Sequence, residues 1–284
     1  MDIITDIAEM QSRSLAARAA GKRIAFVPTM GYLHEGHASL LREGRKRGDL
    51  LVLSIFVNPT QFGPNEDLDR YPRDFARDEA LAGEAGVDVI FYPSAATIYP
   101  SGYATFVNVE GALTEVLEGA CRPGHFRGVA TVVAKLFLIV QPHVAFFGQK
   151  DFQQLAVIRR MTQDLNLPVD IVGMPIVREA DGLAMSSRNV YLVPDERRQA
   201  LAIVGALRLA GQAARAGECS PRKLLLLAEG RLHQEPDIKI EYVTIRHQAT
   251  LQETATVDAD AVMLIAVRIG KTRLIDNAML LAEV

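Results

Sequence analysis

Short apolar runs alternate with segments of helical period over the first two thirds of the chain. Residues 24–27 form an apolar run closed by Pro28 and a turn around Gly31. Ala38, Leu40 and Leu41 then recur at helical spacing, and that segment ends in Arg45-Lys46-Arg47 before Gly48, where positive charge suits a helix C-terminus. Residues 50–57 are almost continuously apolar, as expected of a strand buried on both faces. The alternation continues with a helix over 74–85 stopped by Gly86, a strand over 87–92, an apolar helix over 129–140, a strand over 144–147, a helix over 152–165 and a strand over 169–177. This order predicts parallel βαβ units with right-handed crossovers, whose ligands lie beyond the carboxyl ends of the strands.

The rhythm changes after about residue 190. A long Ala/Leu/Arg-rich helix is predicted over 195–216 with Gly217 as its stop, and a second over 221–233 with Ser220 as N-cap and Pro221 in the first position. Residues 238–245 and 261–267 read as strands of a separate small sheet. The expected fold class is α/β: a Rossmann-like parallel-sheet N-terminal domain, residues 1–175, with a smaller α+β C-terminal domain, residues 176–284, acting as a lid.

Composition narrows the function classes. The 284 residues suit one large or two moderate domains, and a formal charge of -3 favours neither nucleic acid nor an anionic membrane. Cys121 and Cys219 stand far apart in no metal-ligand spacing, so a reducing compartment fits. The first residues, Met1-Asp2-Ile3-Ile4-Thr5-Asp6, carry acids where a secretory signal carries bases, and no run is long and uncharged enough to span a bilayer. A cytoplasmic protein is expected.

Five strings, most of them just past a predicted strand, carry candidate chemistry. Pro28-Thr29-Met30-Gly31-Tyr32-Leu33-His34-Glu35-Gly36-His37 opens a helix, and free N–H groups at such a junction suit a phosphate. His34 and His37 can donate hydrogen bonds to phosphoryl oxygens, and Gly36 permits close approach of a base or ribose. A metal pair would need a third ligand, and none stands at motif spacing. Asn58 and Gln61 are amides beside Pro59, equally readable as a polar turn or as a grip on hydroxyl and carboxylate groups. Arg122, His125 and Arg127 share a glycine-containing loop that suits anions or solvent. Gly148-Gln149-Lys150-Asp151, followed by Gln154, places a point charge between a strand and a helix. Met185-Ser186-Ser187-Arg188 offers two hydroxyls and a guanidinium together. There is neither a G-x-x-x-x-G-K-[ST] phosphate loop nor a G-x-G-x-x-G fingerprint.

His34-x-Gly36-His37 resembles the HIGH signature of the nucleotidyltransferase superfamily. The longer string from Pro28 to His37, with Asn58-Pro59-x-Gln61-Phe62 and Gly148-x-Lys150-Asp151, is similar to the pantothenate synthetase family in particular. Met185-Ser186-Ser187-Arg188 resembles the mobile KMSKS-type loop in the S-S-R form of that family, which lacks the loop lysine. The resemblance runs from Pro28 to Tyr191 and is weak over the C-terminal third.

The resemblance implies ATP-dependent condensation of pantoate with β-alanine through a pantoyl-adenylate, releasing AMP and pyrophosphate, with Mg2+. It implies ATP contacts at Met30, Gly31, His34, Gly36, His37, Gly148, Lys150, Asp151, Val177, Met185, Ser186, Ser187 and Arg188. His37, His34, Lys150 and Arg188 would carry catalysis, with His37 the more critical histidine. Gln61 and Gln154 would hold pantoate, and Gln61 also β-alanine. Metal ligands stay unassigned, Arg122 would touch substrate or a dimer partner, and a homodimer follows by analogy. Two rival readings are a nucleotidyltransferase that needs no amine and a nucleotide-binding module without turnover.

Overall fold

A computed structural model describes residues 1–64 and 66–282. The chain forms two compact units, one of Met1–Gln149 and Gln153–Pro175, the other of Lys150–Phe152 and Ile176–Val284. Lys150 to Phe152 thus group with the second unit, although they interrupt the sequence of the first.

The first unit is built on six parallel strands: β1 (Asp2–Ile4), β2 (Ile24–Thr29), β3 (Leu50–Ile55), β4 (Val89–Phe91), β5 (Val144–Gly148) and β6 (Asp170–Met174), in the order β1-β4-β3-β2-β5-β6. Around them run α1 (Ile7–Ala19), α2 (Glu35–Arg47), α3 (Phe75–Glu84), the single turns α4 (Ala95–Ile98), α5 (Ala112–Glu115) and α6 (Glu118–Cys121), then α7 (His125–Val140) and α8 (Phe152–Asp164). Alternate residues feed two cores. Ile24, Phe26, Val52, Ala145 and Phe147 pack with Met10 of α1, with α7 and with Ile158 of α8, whereas Ala25, Val27, Leu51, Leu53 and Phe146 pack with Leu41 of α2 and Ala82 of α3.

Chain order from β2 to β4 moves one way across the sheet, and β5 returns to the other side of β2. The topological switch therefore lies between β2 and β5. Pro28 was expected to end β2, but the strand continues through it: Pro28 pairs with Ser54 and Thr29 with Ile55 of β3. Its fixed φ suits extended backbone, and its missing N–H costs nothing toward β5, because β2 and β5 pair only at Ala25 and Phe26. Beyond Phe26 the two strands part.

Besides the single turns α4, α5 and α6, β1 and α1 escaped the sequence pattern in this unit. β1 is a three-residue edge strand, and α1 buries only Met10, Ser14 and Ala17, a stripe too sparse and polar to register as apolar period. The signal available for α1 was its cap, Asp6, whose carboxylate accepts from Glu9 N at 2.9 Å.

The second unit contains α9 (Pro194–Arg215), α10 (Pro221–Leu232) and an antiparallel sheet in the order β7 (Ile238–His247), β8 (Ala261–Ile269), β9 (Thr272–Met279). The sequence predicted two strands here. The third, β9, buries Asp276 and Asn277, so its polarity hid it. Among the described residues no helix is long and apolar enough to cross a membrane.

A Cβ at Gly128 of α7 would collide with the backbone carbonyl of Thr60, so Gly128→Ala is expected to lower stability in urea unfolding by about 1–3 kcal/mol. Gly83, exposed on α3 with open space around it, is the contrast: Gly83→Ala is expected to raise stability by about 0.5–1 kcal/mol.

Candidate active site

The loop from β2 to α2 places the histidine pair. Thr29 Oγ1 donates to Ser54 O at 2.8 Å and accepts from Gly31 N at 3.2 Å, which turns the chain as the strand ends. Gly31 and Tyr32 both have positive φ, +85° and +52°. His34 is the N-cap of α2, and its Nδ1 accepts from Gly36 N at 3.1 Å. His37 Nδ1 in turn accepts from His34 N at 3.3 Å, and the two rings lie 4.1 Å apart between centroids. Each Nδ1 is thus engaged as an acceptor, so the neutral form of each imidazole carries its proton on Nε2. The sequence suggested two donors on one helical face. The structure makes them a reciprocal cap that presents two Nε2–H groups at the positive end of a helix.

The turn after β3 orients an amide. Asn58 is 1% exposed. Its Oδ1 accepts from Tyr99 OH at 2.8 Å and from Thr60 Oγ1 at 2.9 Å, which assigns the oxygen end of the side chain. Its Nδ2 donates to Gln61 Oε1 at 3.0 Å and to Gly128 O at 3.2 Å. Gln61 therefore presents its NH2, which sits 3.3 Å from the Met30 sulfur. Burial pushes the Tyr99 phenol up to about 12, so Tyr99 stays a donor at any physiological pH. Asn58 is an internal orienting group, and Gln61 is itself buried, its Oε1 held by Asn58 and its NH2 turned to the Met30 sulfur.

A second set of contacts holds the Gln61 backbone. Arg122 binds Glu66 through Nε at 2.6 Å and Nη2 at 2.8 Å, with Glu118 at 3.7 Å. His125 lies between Arg122 Nη1 (3.1 Å from Nε2) and Gln61 O (2.9 Å from Nδ1). Burial first, and the positive charge of Arg122 second, lower the His125 pKa to about 4. A neutral ring donating from Nδ1 to Gln61 O and accepting from Arg122 at Nε2 satisfies both neighbours. Burial opposes the charge of Glu66, but the Arg122 guanidinium outweighs it and holds the carboxyl below its ordinary value. Arg122 is thus committed to internal partners. Tyr71 packs against Phe62, and Arg73 donates to the carbonyls of Tyr71 and Leu68.

After β5, Gly148 has open space where a Cβ would stand. Gln153 turns inward, accepting from Glu118 N and donating to the carbonyls of Leu113 and Val116, whereas Gln154 is half-buried.

The remaining candidates belong to the second unit. Lys150 O accepts from Asn277 Nδ2 at 3.0 Å, and Lys150 Nζ lies 4.0 Å from Asp151. Arg178 grips buried Asp276 at 2.6 and 3.1 Å. Val177 O accepts from Met185 N, closing a hairpin that Asn189 ties to Glu179 and Arg197 ties to Glu179 and Asp181. Ser186 caps the 3-10 turn Ser187–Tyr191 by accepting from Arg188 N, and Ser187 is buried. Sequence reading passed over Asp276, Asn277 and Arg197 because their roles arise from contacts distant in sequence.

The full length of the chain is covered by known relatives. A family model described as pantoate-beta-alanine ligase matches residues 2–279. The chain is 65% identical to the pantothenate synthetase of Syntrophotalea carbinolica, with 100% of both sequences covered. The crystal structure of pantothenate synthetase from Thermus thermophilus superposes with a TM-score of 0.93 at 48% identity, covering 99% of each chain. The pantoate-beta-alanine ligase of Francisella tularensis, solved with Beta-gamma ATP and Beta-alanine, gives 0.83 at 33% identity over 100% of this chain and 99% of that one.

The buried neutral His125 has a pH signature. The unfolded imidazole takes up a proton near pH 6.5, whereas the folded one does so only near pH 4. The unfolded state therefore binds more protons across that window, and stability falls as pH drops through it, by about 3 kcal/mol from this group. His125→Gln is expected to flatten that part of the profile relative to wild type, as measured by urea unfolding at several pH values.

Proposed function

The chain belongs to the pantoate–β-alanine ligase family, and from that premise we propose how its residues divide the work. It is an ATP-dependent ligase that condenses pantoate with β-alanine to give pantothenate. In our reading the reaction takes two steps. The pantoate carboxylate attacks the α-phosphorus in line and pyrophosphate leaves. The neutral amine of β-alanine then attacks the acyl carbon of the adenylate and AMP leaves. Neither step calls for an enzyme nucleophile, so positioning and charge neutralisation carry the catalysis.

The observation that carries this reading is the His34–His37 cap, two imidazoles held as Nε2–H donors at the N-terminus of α2. Such donors meet charge that develops on phosphoryl oxygens. Gln61, whose NH2 meets only the weak acceptor sulfur of Met30, is assigned to the carboxylate and hydroxyl oxygens of pantoate and then to the β-alanine that follows, and Gln154 is assigned to pantoate. Met30, Gly31, Gly36 and Gly148 line the nucleotide's path. Lys150, Asp151, Val177, Met185, Ser186, Ser187 and Arg188 are assigned to its phosphates and ribose. Ser186 and Ser187 also support their own turn, so Arg188 and Lys150 are the principal charges.

Mg2+ enters with the nucleotide, as the metal complex of ATP. Among the described residues no group of three His, Cys, Asp or Glu is assembled to hold a cation, which fits an ion that keeps phosphate oxygens and waters as ligands. We also assign the protein to the cytoplasm, as a homodimer, with residues 1–175 binding nucleotide and pantoate and residues 176–284 serving as a lid over the hydrolysable anhydride.

Pantoate-dependent exchange of labelled pyrophosphate into ATP, with β-alanine omitted, tests the first step. Exchange that requires pantoate and Mg2+ is expected; its absence with ATP binding intact would favour a transferase or a binding module. In the same assay His37→Ala is expected to lose about 10²–10³ in rate and His34→Ala less. For the lid, ATP with pantoate should slow amide exchange over 182–189, and unchanged protection would count against it.

A further inference from the structure

The loop that delivers His34 contains two consecutive residues with positive φ, Gly31 at +85° and Tyr32 at +52°. Side chains other than glycine seldom adopt this conformation, so something must hold Tyr32 there. Apolar packing does not close the space beside it. A cavity of about 610 Å3 opens along this loop, lined by Met30, Gly31, Tyr32, Phe56, Arg73 and Asp78 among others. Neither His34, His37 nor Gln61 lines that cavity.

Asp78, in the first turns of α3, is 1% exposed. Its Oδ2 accepts from Tyr32 N at 2.7 Å and its Oδ1 from Leu33 N at 2.6 Å. Successive backbone N–H groups converging on one anion form a concavity that usually takes a bound ligand, and here the protein fills it with its own carboxylate. Position 31 belongs to the same device: a Cβ there would stand 2.9 Å from Asp78 Oδ2 and 3.0 Å from Ile55 Cγ2. The neighbouring residue on α3, Arg77, lies over the Tyr32 ring at 4.9 Å, a second hold on the same residue.

We propose that Asp78 is a positioning residue for the adenylation step: by anchoring the Tyr32 and Leu33 amides it orients the peptide that begins at Leu33 and carries the His34 N–H, and so maintains the His34–His37 cap in which both Nδ1 atoms accept and both rings carry their proton on Nε2. The inference deepens the ligase reading and rests on it for the kinetic part. Burial pushes the Asp78 carboxyl up while the Leu33 and Tyr32 amides pull the other way, so the charge depends on the same two hydrogen bonds that shape the loop. Asparagine at 78 could accept from one amide but would turn an NH2 toward the other.

The test compares wild type with Asp78→Asn, Asp78→Ala and Gly31→Ala, each checked for folding by urea unfolding. Ring 15N shifts of His34 and His37 are read without substrate, and pyrophosphate exchange is read as kcat and KM. Folded Asp78→Asn is expected to lose the Nε2–H signature on His34 or His37. Its kcat should fall by about 100-fold, the scale of a small misplacement of catalytic groups, with KM for ATP and pantoate within about threefold. Gly31→Ala should move the ring shifts the same way; only its ring shifts are read, because Gly31 is itself assigned to the nucleotide's path, and Asp78→Asn decides the matter if Asp78→Ala fails to fold. Unchanged ring shifts with kcat within about twofold of wild type, in a variant that has only lost stability, would overturn the proposal. If wild type itself shows no pantoate-dependent exchange, the ligase reading fails, and the ring shifts alone then decide whether Asp78 sets the histidine tautomers.

Discussion

The ladder between β2 and β5 stops at Phe26 although β2 runs on to Thr29. That early parting is the constraint on which the first unit depends. A strand that pairs on one side only leaves backbone groups unpaired by a ladder on the other, and it does so at the switch point, where chain order reverses. Pro28 makes the parting cheap, since it has no amide to leave unsatisfied. The loops after β2, β3 and β5 all begin at this carboxyl end of the sheet, so Met30, Asn58 and Gly148, distant in sequence, start from one edge.

Delivery alone does not orient a polar side chain. Asn58 could present either end of its amide, and so could Gln61. Tyr99 and Thr60 choose for Asn58, and Asn58 chooses for Gln61. The same logic runs through the imidazoles: backbone N–H groups occupy Nδ1 of His34 and His37, whereas His125 meets a carbonyl at Nδ1 and so takes the opposite tautomer. Buried polar groups are costly without partners, so a complete set of partners leaves a single arrangement.

The second unit uses ionic contacts for a related purpose. Arg178 and Asp276 lie largely buried, and burial pushes the Asp276 carboxyl up against the pull of Arg178. A buried pair of this kind is poor evidence of stability but good at fixing geometry. Here it ties the start of the hairpin around Asp181 to β9, and the next residue on β9, Asn277, holds the backbone of Lys150. The polar character that concealed β9 in the sequence is what makes it useful to the loops.

Local chemistry determined a good deal by itself. The strands at Ile24, Leu50 and Val144 and the helices over 129–140, 152–164 and 195–215 follow from apolar period, because burial of such residues dominates whatever their partners are; the first turn of α7 does not, since His125 and Arg127 read as loop residues and are helical in the structure. The His34-x-Gly36-His37 string and the S-S-R loop stand out in the sequence as candidate chemistry because a glycine turn and a cluster of polar donors are local features. What needed tertiary structure was every role set by a distant partner. Ser14 and Ala17 form a helical stripe only against α7, and Pro28 lies within a strand only because β3 pairs with it. Asp78 reads in sequence as an ordinary helix acid until it meets Tyr32 and Leu33. Hydrogen-bond partners 45 and 46 residues away in sequence leave no period to read, so the sequence names the atoms that can do chemistry while the fold alone decides which way they point.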